Sequence, residues 1–196
     1  MLELEGYILT GGAGSRMGRD KSTLELGGAT LGQRAARILE NVATTVSAVG
    51  RPVPGIPTVR DVLHSKNERA AIFGVQAALH SARTEWAVIL SCDLPFITAE
   101  FFRLLISIAE SAAVDAVVPV QPDGRLQPLA AVYRTGPCLT AVETMLAAGQ
   151  RRLQEICERV ETRRVPPNVY SNLAGCDKFF FNVNTPEDYR TAIDKL

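Results

Sequence analysis

The chain has 196 residues, of which 46% are hydrophobic and 21% charged, with Lys plus Arg and Asp plus Glu balanced at 21 each. That length predicts one domain, here 1–196, with room for a large buried core, and the composition is too apolar for intrinsic disorder. Zero net charge supplies no global field to hold the chain on nucleic acid or an anionic membrane, so a polyanionic partner needs a local basic pocket. The start MLELEGYILTGG has no basic segment or small-residue cleavage pattern, and it does not read as a secretory signal. No apolar run approaches the ~20 residues of a membrane span. Cys92, Cys138, Cys157 and Cys176 form no CxxC pair, and a reducing cytoplasm is the expected setting.

Short apolar runs alternate with longer amphipathic stretches, the rhythm of an α/β fold on a mostly parallel sheet. Residues 6–10 read as a first strand that runs into a glycine-rich loop over 11–21. After 24–26 and a Gly27-Gly28 turn, Thr30 and Gln33 form a capping box opening a helix to about Val42. Residues 46–50 read as a second strand, 51–57 with three prolines as a loop, and 58–61 as a short third strand. Residues 70–82 have helical periodicity, and 86–91 form a continuous apolar run suited to a central strand.

Thr98 is placed to cap a helix over 99–112. Residues 116–120 and 129–133 read as strands around a polar turn, 140–148 and 153–159 as helical, and 179–183 as a last strand. Thr185, Pro186 and Asp188 supply the cap, first-turn proline and capping-box acid of a final helix.

The chemistry concentrates in Leu9-Thr-Gly-Gly-Ala-Gly-Ser-Arg-Met-Gly-Arg-Asp-Lys21. Glycines at 11, 12, 14 and 18 let successive backbone N–H groups converge on phosphate oxygens, and Arg16 and Lys21 add positive charge. A glycine pair alone would pass for a connecting turn. Here glycines, cations and a strand-end position coincide, which points to a triphosphate cradle. The dinucleotide fingerprint fails because its third glycine falls on Met17, and a Walker loop fails because Lys21 follows Asp20.

These residues resemble the molybdenum cofactor guanylyltransferases, the MobA family, whose opening pattern L-A-G-G-x-x-x-R-M-G-x-D-K matches Leu9 to Lys21 with Thr10 in place of Ala. The resemblance extends over nearly the whole chain. Residues 24–31 are similar to the family's L-x-L-x-G-x-x-L, Cys92-Asp93-Leu94-Pro95-Phe96 to its C-D-x-P-[FY], and residues 181–188 to its F-x-N-x-N-T-P-E-[DE]. It implies a Rossmann-like three-layer nucleotidyltransferase fold and transfer of GMP from Mg-GTP to molybdopterin or its molybdenum form, giving the guanine dinucleotide and pyrophosphate. Molybdenum-insertion and molybdoenzyme-maturation proteins are the partners it implies.

Asp93 follows an apolar strand at the sheet edge where α/β ligands sit, and with Thr98 serving as cap it is free to hold Mg²⁺; the resemblance assigns it the same role. Asp61 follows the third strand and matches a family aspartate contacting the guanine nucleotide, although a turn acid bonding its own backbone reads equally from the residues alone. Leu9, Thr10, Gly11, Gly12, Gly14, Lys21, Asp61 and Asp93 thus make the expected nucleotide site, with Arg16, Lys21 and Asp93 carrying the chemistry. By resemblance, Asn182 and Asn184 line the pterin side or metal region, and Arg151 and Arg152 reach the pterin phosphate. Both pairs also have plain readings, as turn formers and solvated charges. Asp123, Arg125, Gln127 and Pro128 are placed on the same substrate wall.

One departure stands out: where the family often has G-P-L-x-G, this chain reads Ala70-Ala71-Ile72-Phe73-Gly74, with less backbone freedom. His64 and His80 lack metal-ligand spacing, and the cysteines read as small core residues. The nearest rival is a cytidylyltransferase for the same pterin, whose loop usually has Ala where Gly12 stands. A sugar-phosphate nucleotidyltransferase is more distant. A rival of another class, a non-catalytic nucleotide- or cofactor-binding adaptor, is disfavoured by the joint presence of Arg16, Lys21 and Asp93.

Overall fold

A computed structural model describes residues 2–11, 21–59 and 70–196. Its frame is a seven-stranded sheet built from β1 (Leu4–Leu9), β4 (Thr45–Val49), β5 (Thr58–Val59), β6 (Trp86–Ser91), β7 (Ala116–Pro119), β8 (Ala130–Arg134) and β9 (Thr162–Val165), ordered β5-β4-β1-β6-β8-β7-β9. The β5, β4, β1 and β6 pairings are parallel, as is β7 with β9, while β8 runs antiparallel between β6 and β7. A two-stranded ribbon, β2 (Glu25–Leu26) and β3 (Ala29–Thr30), stands apart from it.

Strand alternation divides the core in two. Leu4 and Ile8 of β1 with Trp86, Val88 and Leu90 of β6 face α1 (Leu31–Glu40) and α3 (Ala99–Ser111). Tyr7, Leu9, Ala87 and Ile89 face the opposite layer, α2 (Ala71–Ser81) and α4 (Thr135–Ala147). All six residues of β6 are buried, as a strand covered on both faces requires. This is the three-layer α/β arrangement with a mostly parallel sheet that the sequence predicts.

Local chemistry fixes the helix starts. Thr30 Oγ1 accepts from the Gln33 amide at 3.2 Å while Gln33 Oε1 accepts from the Thr30 amide at 3.0 Å, completing the expected capping box of α1. Thr98 Oγ1 accepts from Phe101 N at 3.3 Å. In α6 (Pro186–Asp194), Thr185 and Asp188 form a second box with proline at the first position.

Some boundaries differ from expectation. Residues 179–183 form no strand: Phe179 and Phe180 turn instead into an aromatic cluster with Phe101 and Tyr170, centroids 5.0–5.8 Å apart. An apolar run that serves side-chain packing between layers imitates a buried strand, and periodicity cannot separate the two. The strand missed is β9, whose Thr-Arg-Arg-Val composition carries no apolar run because it lies at the sheet edge. Helix α4 starts at Thr135, ahead of the expected 140, and Leu153–Glu158 is 3-10 rather than α-helical. A one-turn α5 (Pro167–Tyr170) precedes the aromatic cluster.

Candidate active site

The parallel strands β1, β4 and β6 end along one edge, and the chain leaving each contributes to the site. Leu9 is buried beside Gly74 of α2. Thr10, 5% exposed, donates its amide to Val49 O at 3.0 Å. Its hydroxyl lies 2.9 Å from Val49 O and 2.7 Å from Arg51 O, and accepts from Arg51 N at 2.8 Å. Thr10 therefore stitches β1 to the loop after β4. Its side chain, expected at the nucleotide, is engaged within the protein, because a hydroxyl at that spot meets a turn with free peptide groups before it meets a ligand.

Gly50 completes that seam. At φ +102° its backbone suits glycine, and a Cβ there would lie 3.0 Å from the Gly11 nitrogen, so a side chain would push the loops apart. Gly11 is the last described residue after β1 before the glycine-rich segment. Gly12, Gly14, Arg16 and Asp61, all sequence-predicted site residues, lie outside the described residues, as does His64.

Lys21 re-enters on a single 3-10 turn, Lys21–Thr23. Its ammonium donates to Asn184 Oδ1 at 2.6 Å and stands 4.0 Å from Asp93 Oδ2. Three distant segments thus converge on one cation: the end of the glycine loop, the turn after β6 and the lead into α6. Asn184 is held for this by its backbone, since Asp188 Oδ2 accepts from the Asn184 and Thr185 amides at 2.9 and 2.8 Å. The cap of α6 therefore aims Asn184 at Lys21. Asn182, expected alongside, donates its side-chain amide to Phe180 O at 3.2 Å, a turn contact of its own segment.

Asp93 is the acid of the site. Its side chain is 21% exposed, and burial holds its carboxyl above the usual aspartate range, opposed by a hydrogen bond from Ser91 and by the Lys21 charge. Ser91 is the polar residue sequence reasoning passed over; the signal was a hydroxyl closing an otherwise apolar strand. Asp93 O accepts from Val183 N at 2.9 Å, which ties the two loops that hold Asp93 and Asn184.

Among the described residues no three His, Cys, Asp or Glu side chains gather as a metal cage. A strand-end carboxylate beside the Lys21 ammonium fits Mg²⁺, which takes one or two carboxylates and fills its shell with phosphate and water. A cation there would also relieve the unfavourable ionisation of Asp93.

The basic pair follows α4 in the chain. Arg151 Nη1 donates to Leu146 O and Gln150 O, both at 3.1 Å, and its guanidinium stacks 5.2 Å from the Phe73 ring of α2. It closes the carbonyl end of α4, a favourable place for a cation. Arg152 is exposed and lines a cleft of about 570 Å³ with Leu126, Gln154, Glu155, Glu158 and Arg159. Asp123 and Arg125 pair with each other at 2.6 Å on an exposed turn. Gln127 is buried behind it, its amide on Pro119 O at 2.9 Å, and the Pro128 carbonyl accepts from Tyr133 at 2.7 Å. His80 is exposed at the end of α2. Ala70–Gly74, the departing segment, opens α2 with no side-chain cap.

A three-layer α/β frame with lysine, asparagine and aspartate gathered at its strand-end edge defines the class, a nucleotidyltransferase. The chain belongs to the family of MobA-like NTP transferase domains, whose family model matches residues 6–165. A probable molybdenum cofactor guanylyltransferase of Pelotomaculum thermopropionicum is 33% identical over 96% of this chain and 91% of its own length, and one of Mycobacterium marinum is 31% identical over 95% and 92%. Among solved structures, the molybdopterin-guanine dinucleotide biosynthesis protein A of Archaeoglobus fulgidus superposes with a TM-score of 0.81 at 24% identity, covering 97% of both chains. A 2-C-methyl-D-erythritol 4-phosphate cytidylyltransferase of Thermus thermophilus gives 0.66 at 17% identity over 96% of each. These likenesses show a shared fold. No described helix is long and apolar enough to cross a membrane.

Proposed function

We propose that this chain, acting as one nucleotidyltransferase domain in the cytoplasm, transfers GMP from Mg-GTP to molybdopterin or its molybdenum form. The observation that carries the reading is the convergence of Lys21, Asn184 and Asp93 at the strand-end edge, in a chain whose relatives bear the guanylyltransferase name. In the reaction, a terminal phosphate oxygen of the pterin attacks the α-phosphorus of GTP in line. The bond to the β-phosphate oxygen breaks and pyrophosphate leaves with that electron pair. A phosphate monoester is already anionic near neutral pH, so the protein's task is to position two polyanions and offset their charge.

Lys21 supplies a fixed cation for the transferred phosphate, oriented by Asn184. Asp93 would hold Mg²⁺, which as a Lewis acid offsets charge developing on the phosphates. The amides from Gly11 to Gly14, with Arg16, would cradle the triphosphate, and Asp61 would accept from guanine or ribose. Asn182 and Arg151 remain on the acceptor side of this reading through their neighbours, and Arg152 through its exposed guanidinium. Partners would be GTP, the pterin, and the proteins that insert molybdenum and mature molybdoenzymes, with no nucleic acid or membrane.

The test is to supply purified protein with a molybdopterin-loaded acceptor, Mg²⁺ and each NTP in turn, then measure pyrophosphate and the dinucleotide. GTP should give both products. Equal kcat/KM for CTP would move the chain to the cytidylyltransferase rival, and nucleotide binding without turnover to the adaptor.

A further inference from the structure

Lys21 and Asp93 lie on segments far apart in sequence, and helix α1 joins them. Leu31 N donates to Leu24 O at 2.9 Å, just after the Lys21 turn. Gly32 leaves room for that turn, since a Cβ there would come within 3.2 Å of Ser22 O. Two residues further along, Arg34 reaches in two directions: Nη1 donates to Leu26 O at 3.2 Å and Nη2 to Pro95 O at 3.4 Å. Leu26 continues the Lys21 segment, and Pro95 lies two residues past Asp93.

The guanidinium is half-buried, and its Nε is shielded with no hydrogen-bond partner among the described residues. Burial and the neighbouring Arg37 both disfavour its charge. A desolvated cation with an unmade hydrogen bond costs stability that an aliphatic side chain of similar length would not. What a planar fork supplies and an aliphatic chain cannot is two carbonyls held at a set separation. We propose that Arg34 is a positioning residue for nucleotidyl transfer: by bridging the Leu26 and Pro95 carbonyls it sets the distance between the Lys21 ammonium and the Asp93 carboxylate.

This rests on the reading of Lys21 and Asp93 as the transfer site, and the test separates the two. Wild-type, Arg34→Met and Arg34→Lys proteins are compared for melting temperature, kcat, KM for GTP and the Mg²⁺ concentration giving half-maximal rate. Arg34→Met keeps the apolar stem and removes both donors; it should stay folded at assay temperature, lose roughly tenfold or more in kcat, and need several-fold more Mg²⁺, with KM for GTP within about twofold, as loosened geometry rather than lost binding predicts. Arg34→Lys, with one point donor, should fall between. If Arg34→Met does not fold, Arg34→Lys alone decides. Wild-type kcat and Mg²⁺ dependence in a folded Arg34 variant, or losses that track only the unfolded fraction, would overturn the proposal while leaving the site standing. A wild-type protein that releases no pyrophosphate from any NTP would overturn both.

Discussion

Asp93 serves two opposed demands. A group raised in pKa by folding holds its proton more readily folded than unfolded, so its contribution favours the fold below the ordinary aspartate range and is lost as pH rises through the raised value. At neutral pH and without metal, Asp93 is therefore a local cost. Asp93→Asn should raise the melting temperature at pH 7 in metal-free buffer, by roughly 2–4 °C for each kcal/mol relieved, and the gain should vanish below about pH 4. The same change should abolish most transfer, as should Asp93→Ala, because the amide keeps the shape and loses the charge. A variant both less stable at pH 7 and fully active would contradict the assignment. Lys21→Ala should lower kcat/KM for GTP by at least about a hundredfold, as loss of a phosphate cation does. Asn184→Ala removes one acceptor and leaves the ammonium in place, so its loss should be smaller, about tenfold, in the same steady-state assay.

At the scale of elements, α1 deserves the closest test. Gly→Ala ordinarily favours a helix by up to about 1 kcal/mol, but at Gly32 the new methyl would meet Val53 Cγ2 at 2.8 Å and Ser22 O at 3.2 Å. Gly32→Ala should thus destabilise by about 1–3 kcal/mol in denaturant melts and reduce transfer through the displaced Lys21 turn; a stabilised, fully active variant would refute that packing. The helix caps at Thr30, Thr98 and Thr185 were legible because capping is local chemistry written in adjacent residues. The strand β9 and the false strand at 179–183 were not, since edge pairing and aromatic packing against Phe101 depend on elements distant in the chain. Asp93 and Lys21 could be singled out from the sequence, whereas their link through Asn184 and the α6 cap needed the fold.

For the molecule as a whole, the sheet order explains why Thr10 and Asp93 come to one edge: β1 sits between β4 and β6, all parallel, so the carboxyl ends of the three strands share one rim. The antiparallel insertion of β8 could not be read from alternating apolar runs, which carry no strand direction. None of the four cysteines is in a disulfide, and burial pushes Cys138 up to about 12 and Cys157 to about 11. They belong to the packing, as their isolated spacing suggested.

Competition kinetics tests guanylyl transfer at the Lys21–Asp93 edge most directly. Protein, Mg²⁺ and a molybdopterin-loaded acceptor are given GTP and CTP together, and dinucleotide products are resolved beside pyrophosphate. One pyrophosphate per guanine dinucleotide is expected, with a kcat/KM preference for GTP of at least about a hundredfold, since a site that hydrogen-bonds the guanine edge leaves its own polar groups unpaired with cytosine. Equal use of the two nucleotides, or no pyrophosphate from either, would contradict it.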